Sequence, residues 1–367
     1  MKTELEKICF ISEKAYPVLT NSDGIVGGAE LQVKYISNEL GGQFDVYVIT
    51  ISHNGTQIIK KGNITIINIK RSKRAISLAL LVQLFRIIYE INPTIIFHRP
   101  PSLLGIIISL IFKCHNTKYV PIISSNFFVE RIFSASLFSD IIYAFYYIML
   151  ILSDGVICQT KHQFNLLPSH IKYKSTIIAN IVSSKFQKDI AQNGCDILWM
   201  GKIVPYKNPL LIYSIAKRFP NLSFLILGGA PKKYLEYYNV FIHNISKEEN
   251  ITHINNYPHQ FIFSQIKRTK LLISTSISEG FPNTFLESWY NGIPVISYKF
   301  DPDGLISRNE LGVVCNTLEE ICDYVEILLS DDDKYIEYSN NSHIYVNNHH
   351  SMREIYNKYT DLISSLI

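Results

Sequence analysis

Two lysines and two glutamates carry the chemistry that this chain can do. Lys202 and Lys207 lie in WMGKIVPYKNP (199–209), and Glu279 and Glu287 lie in SEGFPNTFLESW (278–289). A pair of ammonium groups at the carboxyl end of a strand suits a diphosphate; two solvated surface lysines is the plainer alternative. Between the glutamates, Phe281, Pro282, Asn283 and Thr284 form a turn into a helix, with Asn283 expected to cap it. Free amides and the helix dipole at such a start attract phosphate oxygens. A carboxylate accepts two hydrogen bonds in the geometry of a sugar diol. Glu279 and Glu287 thus suit sugars at both ends of a diphosphate, although Glu287 could also be only a favourable charge early in a helix. In GGAE (27–30), Gly27 and Gly28 open a helix after the first strand. That reads equally as a phosphate-approaching turn and as a flexible one.

Other candidates stand around these. His98 and Arg99, in FHRP, end a strand and could touch a ligand, while a structural histidine is an equal alternative. Asp301-Pro302-Asp303 has the look of a metal pair, but Asp-Pro-Asp-Gly is an ordinary turn signal, and no metal is expected. Asp331 to Asp333 reads as a solvated helix start. His162 and the pair His349-His350 read as surface residues. The six cysteines form no C-x-x-C pair and mostly sit in apolar runs, as buried thiols do in a reducing compartment.

These residues need positioning elements. Short Ile/Val-rich runs alternate with helical patterns. The strand candidates of the first half are 7–12, 44–51, 64–69, 94–99, 119–125, 155–160 and 175–180, with helices at 29–40, 76–91 and 135–152. A polar stretch, 181–196, interrupts the alternation. It resumes with strands at 197–203, 223–229, 251–257, 271–276, 294–300 and 311–315, and helices at 208–219, 231–243, 284–290 and 318–329. Continuous apolar strands alternating with helices predict parallel sheets covered on both faces. The expectation is an α/β chain of two Rossmann-like, doubly wound domains facing a central cleft, where ligands bind beyond the strands' carboxyl ends.

Composition narrows the class. With 367 residues, 47% hydrophobic and 18% charged, the chain can bury two cores. A net charge of +4 is too weak to argue for nucleic acid. Residues 1–180 carry 18 Lys/Arg against 11 Asp/Glu, and the remainder carries 17 against 20, so the first half suits anionic surfaces better. Its basic cluster is Lys60, Lys61, Lys70, Arg71, Lys73 and Arg74. Phe127, Phe128, Phe133, Phe138, Tyr143, Phe145, Tyr146 and Tyr147 follow. Two readings stay open: a surface for an anionic bilayer, or a solvated loop over a packed core. The apolar stretches 103–112 and 132–152 read as helices of a folded domain and not as spans. The N-terminal MKTELEKICFIS reads as a first strand and not as a signal peptide, which gives a cytoplasmic expectation, peripheral on the inner face of the membrane if the bilayer reading holds.

The stretches GGAE, GKIVPYKNP, FLILGG, EGFPNTFLE and NGIPVIS, in this order, resemble glycosyltransferase family 4, the retaining "group 1" enzymes of GT-B fold. The E-x7-E pattern is Glu279 to Glu287. CQTKHQFNLL and DPDGLI look like a subgroup of bacterial surface-polysaccharide clusters. The resemblance implies an N-terminal acceptor-side domain (1–183), a C-terminal nucleotide-sugar-binding domain (184–351) and a terminal helix (352–367) crossing back to the first domain. It implies that Lys202 and Lys207 contact donor phosphates, Glu287 the ribose and Glu279 the donor sugar. Phe281 to Thr284, with Gly27 and Gly28, would hold the diphosphate and sugar. The implied activity is retaining, metal-independent sugar transfer from a nucleotide diphosphate donor to a hydroxyl acceptor on a lipid-linked or surface-polysaccharide glycan, without a cofactor. Many relatives carry a histidine after the fifth strand; here the stretch reads PIISSN (121–126), leaving Asn126, Ser125 or Glu130 for that place. A nucleotide-sugar epimerase of the same fold and a catalytically silent nucleotide-sugar-binding protein are the alternatives.

Overall fold

A computed structural model of the chain describes residues 5–22, 27–71, 77–112, 116–130, 137–182, 194–255 and 259–367. The chain divides into two compact units: Met1–Ile181 together with Met352–Ile367, and Val182–Ser351.

The first unit holds eight strands: β1 (Lys7–Ile11), β2 (Asp45–Ser52), β3 (Gln57–Lys61), β4 (Ile64–Lys70), β5 (Ile95–His98), β6 (Lys118–Ile123), β7 (Val156–Cys158) and β8 (Ser175–Ile177). Their order in the sheet is β3-β4-β2-β1-β5-β6-β7-β8. All neighbours are parallel except β3 and β4. β3 is not among the sequence's strand candidates because Gln57-Ile-Ile-Lys-Lys61 is short and largely exposed. The signal was the two-residue Gly62-Asn63 connection, where Gly62 takes φ +61 as a tight hairpin demands. Lysines on this outermost strand also discourage pairing with a foreign edge.

Each face of the sheet carries its own core. On one lie Leu80, Leu84 and Ile88 of the helix Leu78–Ile91, Ile108 of Leu104–Phe112, and Met149 and Leu150 of Leu137–Leu152. On the other, Val33, Ile36 and Leu40 of the helix Gly28–Leu40 meet Ile355, Tyr359 and Ile363 of the terminal helix Met352–Leu366. The spacing of those last three residues is a helical stripe aimed at the sheet. Among the described residues no helix is long and apolar enough to cross a membrane.

The second unit holds β9 (Ile197–Met200), β10 (Phe224–Leu227), β11 (Ile251–Ile254), β12 (Leu271–Ser274), β13 (Val295–Tyr298) and β14 (Gly312–Cys315). They are all parallel, in the order β11-β10-β9-β12-β13-β14. The order runs outward from β9 in both directions, so a crevice opens between the connections that leave β9 and β12. Doubly wound sheets bind ligands at that reversal. The connection after β9 is Gly201 to Asn208, and the connection after β12 is Thr275 to Pro282. They hold Lys202, Lys207 and Glu279.

Candidate functional site

Hydrogen bonds lace the two connections together beyond the strands. The indole Nε1 of Trp199 donates to Thr275 Oγ1 (2.8 Å), and that hydroxyl donates to the carbonyl of Lys207 (2.6 Å). The amide of Ile277 donates to the carbonyl of Tyr206 (3.1 Å). Thr275 is fully buried, so this relay is shielded from water. On the other side of β9, Gly201 N donates to Leu227 O (3.0 Å) and Ile203 N to Gly229 O (2.9 Å), extending the ladder past the strand ends. A Cβ on Gly228 would stand 1.8 Å from the Gly201 carbonyl oxygen, so this close approach of two backbones needs glycine. That is what the FLILGG stretch does in the fold.

This framework sets the charged groups. Lys207 Nζ and the Glu279 carboxylate form an ion pair, their side chains only 18% and 16% exposed. Among the described residues no other side chain donates to Glu279. The aliphatic part of Lys207 runs over Gly201, where a Cβ would meet Lys207 Cδ at 3.7 Å. The Lys207 ammonium also lies 6.0 Å from the Tyr206 ring centroid. Burial, followed by the Glu279 carboxylate, pushes the Tyr206 phenol above its ordinary pKa. Lys202, one residue beyond Gly201, is exposed and without an ion-pair partner among the described residues.

Downstream of Glu279 the helix Asn283–Tyr290 begins. Its N-cap is Pro282, with φ −68 and ψ 118, so Asn283 is the first helical residue and not the cap. The correction follows from the fixed φ of proline: Pro282 takes the extended cap conformation, and the helix starts one residue earlier than expected. Asn208 does hold the N-cap position of Pro209–Arg218, but in the left-handed region (φ 47) and with no side-chain cap bond. Phe281 packs on Trp289 and His350, at ring-centroid distances of 6.5 and 5.2 Å. Glu287, on the second turn, is 6% exposed, and burial raises its carboxyl to a pKa of about 8. It is therefore no solvated charge at a helix start.

Of the surrounding residues, the reading of His350 changes. The Asp301 carboxylate bonds the first turn of the helix Leu305–Asn309, whose N-cap is Gly304: Oδ1 accepts from Ile306 N (2.9 Å), and Oδ2 from the amide and hydroxyl of Ser307 (3.2 and 2.8 Å). Among the described residues no group of three potential metal ligands occurs. His350 is not a surface residue but 2% exposed, seated on Phe281 and Tyr345. Asp331 caps the helix Asp332–His349, accepting from Lys334 N at 3.0 Å.

The remaining site candidates belong to the first unit. Gly27 is the N-cap of the helix Gly28–Leu40, and a Cβ there would stand 2.2 Å from Glu30 Oε2. The buried Glu30 carboxylate has folded back over the helix start, where an anion is favoured. His98 is fully buried, its Nδ1 2.8 Å from the Tyr119 hydroxyl and its Nε2 3.4 Å from Ser102 Oγ. Burial lowers its pKa to about 3, so it is neutral. Arg99 is 3% exposed; Nη2 donates to Asn180 Oδ1 (2.7 Å), and burial lowers its pKa, opposed in part by Tyr359 and Glu30. Asn126 accepts from Gln163 Nε2 (3.2 Å), and Gln163 Oε1 accepts from Gln159 N (2.9 Å). Glu130 pairs with His162 Nε2 at 2.7 Å, a contact that the sequence reading of His162 missed. These two come from successive strand ends, a neighbourhood that spacing within one loop cannot reveal.

On one face of this unit, Leu78, Val82 and Tyr89 of the helix Leu78–Ile91 are exposed, as are Ile141, Phe145, Ile148 and Ile151 of Leu137–Leu152. Phe128, Tyr146 and Tyr147 instead pack on the core. Tyr143 stacks on Tyr147, at 6.5 Å between ring centroids. Lys60, Lys70 and Arg71 are exposed or nearly so, while Lys61 donates to Leu19 O (3.0 Å). Lys73, Arg74, Cys114 and Phe133, and the side chains of Phe127 and Phe138, lie outside the described residues. Cys9, Cys158, Cys315 and Cys322 are buried thiols, and Cys195 is partly buried.

Residues 181–344 match the family model of glycosyl transferases group 1. An uncharacterized glycosyltransferase of Methanocaldococcus jannaschii is 25% identical over 241 residues, 59% of this chain and 58% of that relative's own length. Among solved structures, the sucrose-phosphate synthase of Thermosynechococcus elongatus superposes with a TM-score of 0.83 at 15% identity, covering 98% of this chain and 99% of that one. HepE of Anabaena in complex with UDP and glucose gives 0.76 at 14% identity, over 98% and 100% of the two chains. At such identities the structures speak for the fold, which is GT-B. The segment that holds Lys202, Lys207, Glu279 and Glu287 is thus the part of the chain that resembles the group 1 glycosyl transferases.

Proposed function

We propose that this protein is a retaining glycosyltransferase that moves a sugar from a nucleotide diphosphate donor to a hydroxyl of a lipid-linked or surface-polysaccharide glycan. The observation that carries the reading is one of coincidence. The matched segment 181–344 contains a crevice at the strand-order reversal, and that crevice gathers Lys207, Glu279 and the start of the helix Asn283–Tyr290. HepE, of the same fold, is described with UDP and glucose.

Breaking the bond between the sugar carbon and the diphosphate builds negative charge on the leaving phosphate. Lys202, Lys207 and the amides at Asn283 and Thr284 are the preorganised positive groups to meet it. Glu287 faces the ribose in this scheme, and Glu279 the sugar. The acceptor hydroxyl attacks from the side that the diphosphate leaves, and its proton passes to the departing phosphate oxygen. No metal ion takes part, because lysines and amides supply the positive charge. The exposed Leu78, Val82, Phe145 and Ile148, with Lys70 and Arg71, favour docking to an anionic bilayer that presents the acceptor.

A panel of UDP-, GDP- and dTDP-sugars tests this. One donor should raise the melting temperature and be turned over in the presence of a glycan acceptor, with EDTA leaving the rate unchanged. Lys207→Met should lower kcat/KM about 100-fold or more. A donor that is bound and never cleaved would make the protein a nucleotide-sugar binder, and a donor isomerised without acceptor would make it an epimerase.

A further inference from the structure

Lys207 and Glu279 neutralise each other. The pair is isolated and mostly shielded: the two side chains are 18% and 16% exposed, and no other side chain among the described residues donates to Glu279. The backbone around it is held by the Trp199–Thr275–Lys207 relay and by the Ile277–Tyr206 bond, so the two side chains can part without the loops moving. A ligand with phosphate alone takes Lys207 and strands the mostly buried Glu279 carboxylate without a partner, which is costly. A ligand with a phosphate and a neighbouring diol satisfies both groups, the phosphate on the ammonium and two hydroxyls on the carboxylate.

We propose that the Lys207–Glu279 ion pair is a selectivity lock: it disfavours the nucleoside diphosphate product and opens fully only for a donor that brings phosphate and sugar hydroxyls together. The inference rests on the donor reading above. It assigns to Glu279 discrimination between substrate and product, in addition to contact with the sugar. A lock of this kind limits product inhibition, since the spent nucleotide leaves behind an unpaired carboxylate that draws Lys207 back.

The test is calorimetric titration of the native protein and of Glu279→Gln with the nucleoside diphosphate and with its sugar donor. Glutamine keeps the size and frees the lysine. The diphosphate should bind the variant about fivefold tighter and the donor no tighter, so the ratio of the two Kd values falls. Glu279→Asp, which keeps the charge, should restore most of the ratio, and unchanged melting temperatures would show both variants folded. An unaltered ratio in Glu279→Gln, with binding retained, would overturn the lock while leaving the donor reading intact. If no nucleoside diphosphate or donor binds even the native protein, the donor reading fails and the lock with it.

Discussion

A carboxyl group in a doubly wound unit is ordinarily a surface charge, and Glu287 is not. Burial holds its pKa at about 8, against an ordinary 4.5. Between those values the folded chain keeps a proton that the unfolded chain has released. Stability therefore falls as pH rises from about 4.5 to about 8 and levels off above, so far as this group decides it. Glu287→Gln removes the slope. Its urea midpoint should exceed that of the native protein at pH 8 by more than at pH 5. Parallel midpoint curves for the two proteins across that range would show that the group ionises freely in the fold. The same variant should weaken nucleotide binding if the buried carboxyl group bonds the ribose hydroxyls, so stability and binding move in opposite directions at this position.

Among elements, the connections after β9 and β12 are positioned more tightly than the strands require, and Thr275 is their joint. Thr275→Val keeps the shape but leaves the indole N–H of Trp199 without its acceptor and the Lys207 carbonyl without its donor. A loss of about 1–3 kcal/mol is expected, read from thermal or urea unfolding, with Thr275→Ser retaining most of it. Nucleotide binding should weaken as well, because the carbonyl freed is that of the lysine in the crevice. The sequence showed the strands on either side of this joint, since β9 and β12 are short apolar runs with turn signals after them. It did not show the joint, because the tertiary pairing of a tryptophan with a threonine 76 positions on has no local signature. The same limit explains His162, Arg99 and the Lys207–Glu279 pair. In each case the partner comes from a different strand end. The GGAE glycines read equally as a close-approach turn and a flexible one, and FLILGG only as a family-like stretch; the fold reveals what approaches: the Glu30 carboxylate in one case, the Gly201 backbone in the other. The hairpin strand β3 was hidden by its exposure, and the helix start at Asn283 was misplaced by one residue because proline, and not asparagine, took the cap.

At the scale of the whole molecule, the chain returns to its first unit for its last 16 residues, and the energetics of that return can be estimated. Ile355, Tyr359 and Ile363 are each 2% exposed or less against the sheet face lined by Val33, Ile36 and Leu40. Burying three such side chains is worth roughly 4.5–9 kcal/mol, at about 1.5–3 kcal/mol each. That is comparable with the net stability of an ordinary domain, about 5–15 kcal/mol. Tyr359 adds a polar tie, since its hydroxyl is a partner of the buried Arg99 guanidinium, and its ring meets Phe97 edge-on at 5.5 Å between centroids. Removing 352–367 would therefore uncover an apolar face and take from Arg99 one of the few groups that compensate its burial. A chain stopped at Ser351 should lose the cooperative unfolding of the first unit while the second, which contains all of Val182–Ser351, still melts as a unit. Limited proteolysis should then cut within 1–181 and spare the rest. The milder Tyr359→Phe keeps the ring and deletes only the hydroxyl. About 1–3 kcal/mol should be lost from the first unit alone, seen as a lower midpoint in one of two transitions. If the truncated chain instead melts like the full one, the terminal helix contributes little to the first unit, and the burial estimate for its three-residue stripe is wrong.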